Sequence, residues 1–141
     1  MKYAKRILAL TLITLPMMAF AQLNPEQKII AKVPFEFTVG NKVMPAGTWT
    51  AQRAFLSDRT LLIRNLDAGI ALPSMTLPDE SKTAPRTCAL VFNRYGDRYF
   101  LSAINVEGDR TTYRIPENKA EAELRSENRG VKEEIIVASL K

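Results

Sequence analysis

Residues 94–99, Arg-Tyr-Gly-Asp-Arg-Tyr, bring together the side chains best suited to bind a ligand. Arginine offers planar donors that match a carboxylate or a phosphate, and tyrosine offers an aromatic face for stacking. An ordinary hairpin tip has the same composition, and that interpretation is the more common one because hairpin turns are polar for geometric reasons. The candidate ligand-binding residues are therefore Arg94, Tyr95, Arg98 and Tyr99.

The histidine content bears directly on catalysis, because the sequence contains no histidine. Its absence removes the usual general base near neutral pH, the Ser-His and Cys-His nucleophile pairs and the commonest zinc ligand. The sequence also lacks a G-x-S-x-G nucleophile motif, a phosphate-binding loop and a dinucleotide fingerprint. We therefore expect no cofactor and no metal site, and a non-catalytic role is favoured.

Catalysis by a pair of carboxylates remains compatible with the composition, since glycosidases use such a pair without histidine. Six acidic residues are candidates by type alone, and all lie in or beside turns, where acids commonly serve turn geometry and solubility. They are Asp67, Asp79, Glu80, Asp97, Glu107 and Asp109.

Cys88 is the only cysteine, so no disulfide can form within the chain. Alternation places Cys88 on the same strand face as Leu90 and Phe92, and a free cysteine there commonly packs as a small hydrophobic residue. Three aromatic residues have two interpretations, the wall of a ligand cavity or plain core, and core is favoured for Phe35, Phe37 and Trp49.

The N-terminal segment has the pattern of a cleaved signal peptide. It opens with three basic residues, Lys2, Lys5 and Arg6. An uncharged apolar run from Ile7 to Phe20 follows, and Ala19-Phe20-Ala21 predicts cleavage before Gln22. The alternative is an uncleaved anchor, but this run is shorter than the roughly 20 apolar residues of a spanning helix. We expect an exported protein, periplasmic or extracellular, with no stable membrane insertion after cleavage.

Cleavage also changes the charge of the protein. The whole chain has 20 basic and 15 acidic residues, and removing the three basic residues of the signal segment leaves 17 against 15, or +2. Nucleic-acid binding is normally carried by a clustered basic face, so no nucleic-acid partner is expected.

Residues 22–141 are predicted to form a single domain made of short strands. Residues 33–39 alternate strictly, with Val33, Phe35, Phe37 and Val39 on one face, which is typical of a half-buried strand. Pro34 indicates an edge position or a bulge. With further strands separated by turn residues, the sequence predicts an antiparallel barrel or sandwich of about seven or eight strands. The strands are expected within 29–39, 48–55, 59–65, 70–77, 86–93, 98–106 and 135–137, with a loop at 78–85.

One segment has helical character. Residues 117–128 are rich in good helix formers, with Pro116 suited to the first turn and Gly130 to a stop. The apolar stripe is thin, chiefly Ala120 and Leu124, which predicts a short accessory helix lying loosely on the domain. Glu121 and Arg125 have the i,i+4 spacing of a stabilising pair.

Three blocks of this sequence resemble a family of small exported β proteins of acidobacteria and related soil bacteria. The blocks are Val33-Pro-Phe-Glu-Phe-Thr-Val-Gly-Asn-Lys, Met44-Pro-Ala-Gly-Thr-Trp-Thr and Leu90-Val-Phe-Asn-Arg-Tyr-Gly-Asp-Arg-Tyr-Phe-Leu-Ser. Similar members often carry an aliphatic residue at Met44, tyrosine at Trp49 and histidine at Asn93. The resemblance implies a small β fold and export, and it implies no activity.

These observations favour a non-catalytic exported protein that binds a protein partner or a small ligand. The alternative is a carboxylate-based hydrolase of envelope or extracellular polysaccharide. A third possibility is an envelope scaffold that binds copies of itself. The sequence leaves the ligand, the choice between periplasm and full secretion, and the oligomeric state open.

Overall fold

The computed structural model describes residues 27–54, 57–127 and 130–141, so the predicted signal peptide lies outside the described residues. These residues form eleven strands and one helix, α1. In chain order the elements are β1 Lys28–Val33, β2 Phe37–Val39, β3 Lys42–Met44, β4 Gly47–Ala54, β5 Ser57–Asn65, β6 Ile70–Met75, β7 Leu77–Glu80, β8 Cys88–Tyr95, β9 Arg98–Asn105, β10 Thr111–Arg114, α1 Lys119–Ser126 and β11 Lys132–Leu140. The expected mainly β fold with one short helix near the C-terminus is confirmed.

The strands form a sheet with the order β3-β2-β9-β8-β11-β1-β4-β5-β6, and β10 pairs with both β9 and β7. All pairings are antiparallel except that of β2 with β9, which meet in parallel at Thr38 and Phe100. No helix in the described part of the chain is long and apolar enough to cross a membrane.

Thr76 connects the β6 end of this sheet to the branch formed by β7 and β10. Strand β6 pairs with β5 and β7 pairs with β10, and Thr76 alone separates β6 from β7. Both the backbone N–H and the hydroxyl of Thr76 donate to the carbonyl oxygen of Arg59, at 2.6 and 3.0 Å. Thr76 is fully buried. Because β6 and β7 are separated by this one residue yet pair with strands far apart in the sheet order, the sheet is curled.

The inner face of the curled sheet is a packed core. The Phe37 ring lies 5.0 Å from both the Trp49 and the Phe92 rings, in edge-on geometry. The void enclosed by this face measures about 10 Å³, which is at the lower limit for a single water. Phe37 and Trp49 are therefore core, as predicted, while Phe35 is half-buried against it.

A buried asparagine holds the turn before β4 to the turn after β5. Asn65 Oδ1 accepts from the backbone N–H groups of Asp67 and Ala68, at 2.9 and 2.8 Å. Asp67 Oδ2 then accepts from Thr48 N at 2.7 Å. Gly47 lies under this network with φ +147°, and a Cβ there would come within 2.7 Å of Asp67 Oδ2. Asp67 therefore has a structural role, because its carboxylate links the turn after β5 to the start of β4.

The described residues form eleven strands against the seven or eight predicted: β3 and β10 were not predicted, and β11 extends beyond residues 135–137. Two further differences have a local cause. Residues 29–39 form two strands, because Pro34 interrupts the ladder and the chain then turns to meet β9. Residues 78–80, predicted as loop, belong to β7; its side chains are all exposed, so the strand carries no apolar pattern. Pro73 remains inside β6, whose only partner among the described strands is β5, and an edge position tolerates a missing donor.

Candidate functional site

The predicted hairpin-tip residues lie at the end of β8 and the start of β9. Arg94 pairs with Tyr99, and Tyr95 pairs with Arg98. Because successive strand residues point to opposite faces, these two pairs lie on opposite faces of the sheet. Tyr95 is only 2% exposed, so its ring offers no face for stacking a ligand. The four residues do not form one continuous surface.

The other three tip residues contact neighbouring side chains. The Tyr99 ring stacks on Phe35 at 3.8 Å, and the Arg94 guanidinium lies 5.3 Å from the Tyr99 ring. The Arg98 guanidinium lies 5.1 Å from the Phe100 ring. Arg98 and Tyr99 also line a surface pocket of about 180 Å³. Of the four predicted residues, Arg98 and Tyr99 are the two that border this pocket.

Tyr95 instead belongs to a buried polar cluster on the outer face of the sheet. The hydroxyl of Tyr95 and the side-chain amide of Asn93 both donate to Glu121 Oε1, at 3.2 and 2.9 Å. Glu121 is only 6% exposed although it is a charged residue of α1. Buried carboxylates normally require compensating partners, and these two neutral donors supply them.

Local geometry explains why α1 lies over this face. A register shift between Val91 and Phe92 leaves Ser102 as an extra residue on β9, and such a bulge redirects the side chains around it. Asn118 caps α1 by accepting from Glu121 N at 2.7 Å, and its amide also donates to the Gly40 carbonyl. Polar contacts therefore anchor the helix.

This arrangement corrects two expectations about the helix. The buried residue of α1 is Glu121, whereas Ala120 and Leu124 are half-buried. Arg125 pairs with Glu117, at 2.9 and 3.0 Å, and not with Glu121 as the spacing predicted. Since Asn118 is the N-cap, Glu117 precedes the helix and reaches Arg125 along its side.

The electrostatics of the cluster keep the Tyr95 phenol protonated. Burial, followed by the negative charge of Glu121 and the hydrogen bond to it, raises the pKa of Tyr95 to about 12. A phenol with this pKa remains a hydrogen-bond donor throughout the physiological range. Tyr95 is therefore suited to hold a carboxylate in place and unsuited to act as a proton-transfer group near neutral pH.

A surface pocket of about 350 Å³ opens beside this cluster, between the outer face of β8–β9 and α1. Its volume falls in the range of about 300–1,000 Å³ typical of ligand sites. We name it the Glu121 pocket; its wall includes Asn93, Tyr95, Ser102, Ile115, Glu121 and Val131.

Two arginines also border the Glu121 pocket, and each has a carboxylate partner. Arg114 Nε lies 2.9 Å from Asp79 Oδ2, and Arg125 binds Glu117 through two contacts. Among the described residues, Glu121 Oε2 has neither a hydrogen-bond partner nor an ion-pair partner. The pocket therefore combines paired surface charges with one buried carboxylate that has a free oxygen.

Three of the six candidate acids, Glu80, Glu107 and Asp109, line a different, open pocket of about 580 Å³. Glu80 pairs with Arg110 at 3.1 Å. Burial acts to raise the pKa of Asp109, but hydrogen bonds from Thr111 and Tyr113 outweigh it and lower the pKa below its usual value. A glycosidase acid needs the opposite shift.

The remaining chemistry-bearing residues have structural surroundings. Asp79 pairs with Arg114 as described, and Asp97 is exposed in the β8–β9 turn. Cys88 is buried, and its sulfur accepts from Glu107 N at 3.2 Å, which confirms core packing. In the described ranges, no group of three or more acidic, cysteine or histidine residues is placed to hold a metal ion.

Comparisons with protein-family models, with curated proteins and with solved structures find no match to this chain.

The Glu121 pocket was missed by sequence reasoning, which assigned Glu121 to a surface pair with Arg125. The available signal was the polar outward face of β8, where Asn93 and Tyr95 replace the apolar Ala89 and Val91.

Proposed function

We propose that this chain is a non-catalytic exported protein of the cell envelope or extracellular space that binds a small ligand in the Glu121 pocket. The observation that carries the proposal is the buried Glu121 carboxylate on the wall of a pocket of about 350 Å³. A concave site with few, fixed polar groups is the usual form of a ligand site. Export rests on the N-terminal pattern of residues 1–21.

Two further features support a binding role over a catalytic one. The chain has no histidine, and the void that Phe37, Trp49 and their core neighbours enclose measures only about 10 Å³, too small for a substrate. The polar groups of the pocket, Asn93 and Tyr95, hold Glu121 in place rather than activate it. A rigid, preorganised site favours affinity because less ordering is needed on binding.

The test is a thermal-shift screen of the protein purified after expression of the full chain in a bacterial host. The panel contains envelope sugars, lipids, metals, small anions and small amines, since a ligand of the native state raises the melting temperature with concentration. We expect at least one shift that Glu121→Gln abolishes and Glu123→Gln, an exposed change on the same helix, leaves intact. A shift lost only in Arg98→Ala would place the site at the hairpin tip instead.

A carboxylate-based hydrolase is our second proposal, favoured by the convergence of Glu80, Glu107 and Asp109 on one open pocket. The lowered pKa of Asp109 weighs against it. Release of reducing sugar from envelope or extracellular polysaccharide, lost in Asp109→Asn, would establish this function. Equal release of reducing sugar by the wild type and by Asp109→Asn would contradict the hydrolase proposal.

A further inference from the structure

Among the charged residues that line the Glu121 pocket, all but Glu121 have an ion-pair partner in the described part of the chain. Arg125 is neutralised by Glu117 and Arg114 by Asp79, through contacts of 2.9 Å in each case. The remaining charge on the wall belongs to Glu121, whose Oε2 is without a partner among the described residues. Glu121 is therefore the most buried charged residue of the pocket wall, and its Oε2 atom can accept a hydrogen bond from a ligand.

An anionic ligand does not complement the Glu121 carboxylate, and a neutral ligand complements it only through a hydrogen-bond donor. The Oε1 atom already accepts from Asn93 and Tyr95, so a ligand group at Oε2 must donate a hydrogen bond. An ammonium or guanidinium group donates and also balances the charge, and charge-assisted bonds are about twice as strong as neutral ones. Glu133, opposite Asn93 in the register of β11, adds a second acid on this face.

The apolar residues of the pocket wall favour a ligand that carries an apolar chain beside its cationic group. Ile115 and Val131 line the pocket. Beyond them the outer face of β11 continues with Ile135 and Val137, which are 57% and 67% exposed and lie opposite Val91 and Ala89. Exposed adjacent apolar side chains of this kind commonly mark an interaction site. The strip begins two residues from Glu133, which lies opposite the pocket residue Asn93 in the register of β11 and β8.

We propose that the Glu121 pocket binds a small organic cation, a primary amine or guanidinium compound, whose apolar chain lies along Ile115 and Val131 towards Ile135. This inference rests on the proposed function and names its ligand class. Glu121 Oε2 accepts from the cationic head, and Tyr95 and Asn93 fix the carboxylate from behind. The Ser102 hydroxyl is a further partner on the wall.

Isothermal titration calorimetry with three probes of equal chain length tests the inference: n-hexylamine, n-hexanoate and n-hexanol. We expect n-hexylamine alone to bind, and Glu121→Gln to weaken that binding at least about tenfold, the loss typical of a charge-assisted contact. Glu123→Gln is the matched control and keeps wild-type affinity. Methylamine binds at least about tenfold more weakly than n-hexylamine, because each buried methylene contributes about fourfold. Ile135→Ser reduces that chain-length advantage.

Each other result overturns the inference in a distinguishable way. Binding of n-hexanoate with an affinity equal to that of the amine, or equal amine binding by Glu121→Gln, removes the cation assignment while a binding function stands. A short lysine-containing peptide that binds when n-hexylamine does not assigns the site to a protein partner. No binding of any probe, together with no shift in the broad screen, removes the proposed function as well.

Discussion

Replacing Tyr95 with phenylalanine removes one of the two donors to Glu121 Oε1 while keeping the ring that packs edge-on against Phe100 at 5.7 Å. A hydrogen bond to a charged group contributes about 1.5–3 kcal/mol. Because Glu121 borders a pocket open to solvent, water partly replaces the donor, and we expect a loss near the lower end, about 1–2 kcal/mol at neutral pH. Urea unfolding measures this difference.

The same substitution has a pH dependence of defined sign. The pKa of Tyr95 rises from 10.0 when unfolded to about 12 when folded, so the folded state holds the proton more tightly. This contribution is fully present below pH 10 and is lost as the pH rises towards 12. By pH 11.5 most of the stability advantage of the wild type over Tyr95→Phe should be lost.

The assay is urea unfolding of both proteins between pH 8 and pH 11.5, with Tyr99→Phe as a control that leaves the Glu121 cluster intact. The difference in phenolate absorbance between the folded wild type and folded Tyr95→Phe provides an independent titration of Tyr95. A stability difference between wild type and Tyr95→Phe that stays constant across this range would refute the reasoning. So would ionisation of Tyr95 near its ordinary pKa in the folded protein.

Three further predictions concern the rest of the fold. Gly47→Ala should lower the free energy of unfolding by about 2–3 kcal/mol, since φ +147° and the approach to Asp67 both exclude a Cβ; Gly40→Ala, with nothing within 4 Å, should cost only about 1 kcal/mol in urea titration. Asp109→Asn should remove stability near neutral pH, and because the folded pKa of Asp109 is lowered, the deficit should vanish as the pH falls through the carboxylate range; a deficit that persists in acid would contradict the cause given. The Cys88 thiol should react with a thiol reagent only at the rate of opening, because it is buried, and immediate reaction of the native protein would count against core packing.

Strand alternation predicted part of the architecture, because strands such as β1, β2 and β5 bury alternate residues. In β8, Cys88, Leu90 and Phe92 enter the core, as their spacing indicated. The same rule failed for β7, whose four residues are all exposed and are held by the backbone ladder to β10. A strand with no buried face leaves no periodic signal, so its residues were assigned to a loop.

The candidate site was less predictable because it depends on contacts distant in sequence. Glu121 meets Asn93 and Tyr95 across 28 and 26 residues, and no local pattern encodes that meeting. Within the helix, the i,i+4 rule favoured Arg125 as the partner of Glu121. In the structure Arg125 forms its ion pair with Glu117 instead. The bulge at Ser102, which shapes the pocket wall, likewise follows from sheet register rather than from residue type.

The most direct test of the Glu121 pocket is a two-dimensional NMR titration of the isotope-labelled protein with n-hexylamine. We predict that the side-chain amide of Asn93 and the backbone amides of Ser102 and Glu121 shift together along one saturable curve. Shifts confined to Arg98 and Tyr99 at the hairpin tip, or no saturable shift at all, would contradict the account.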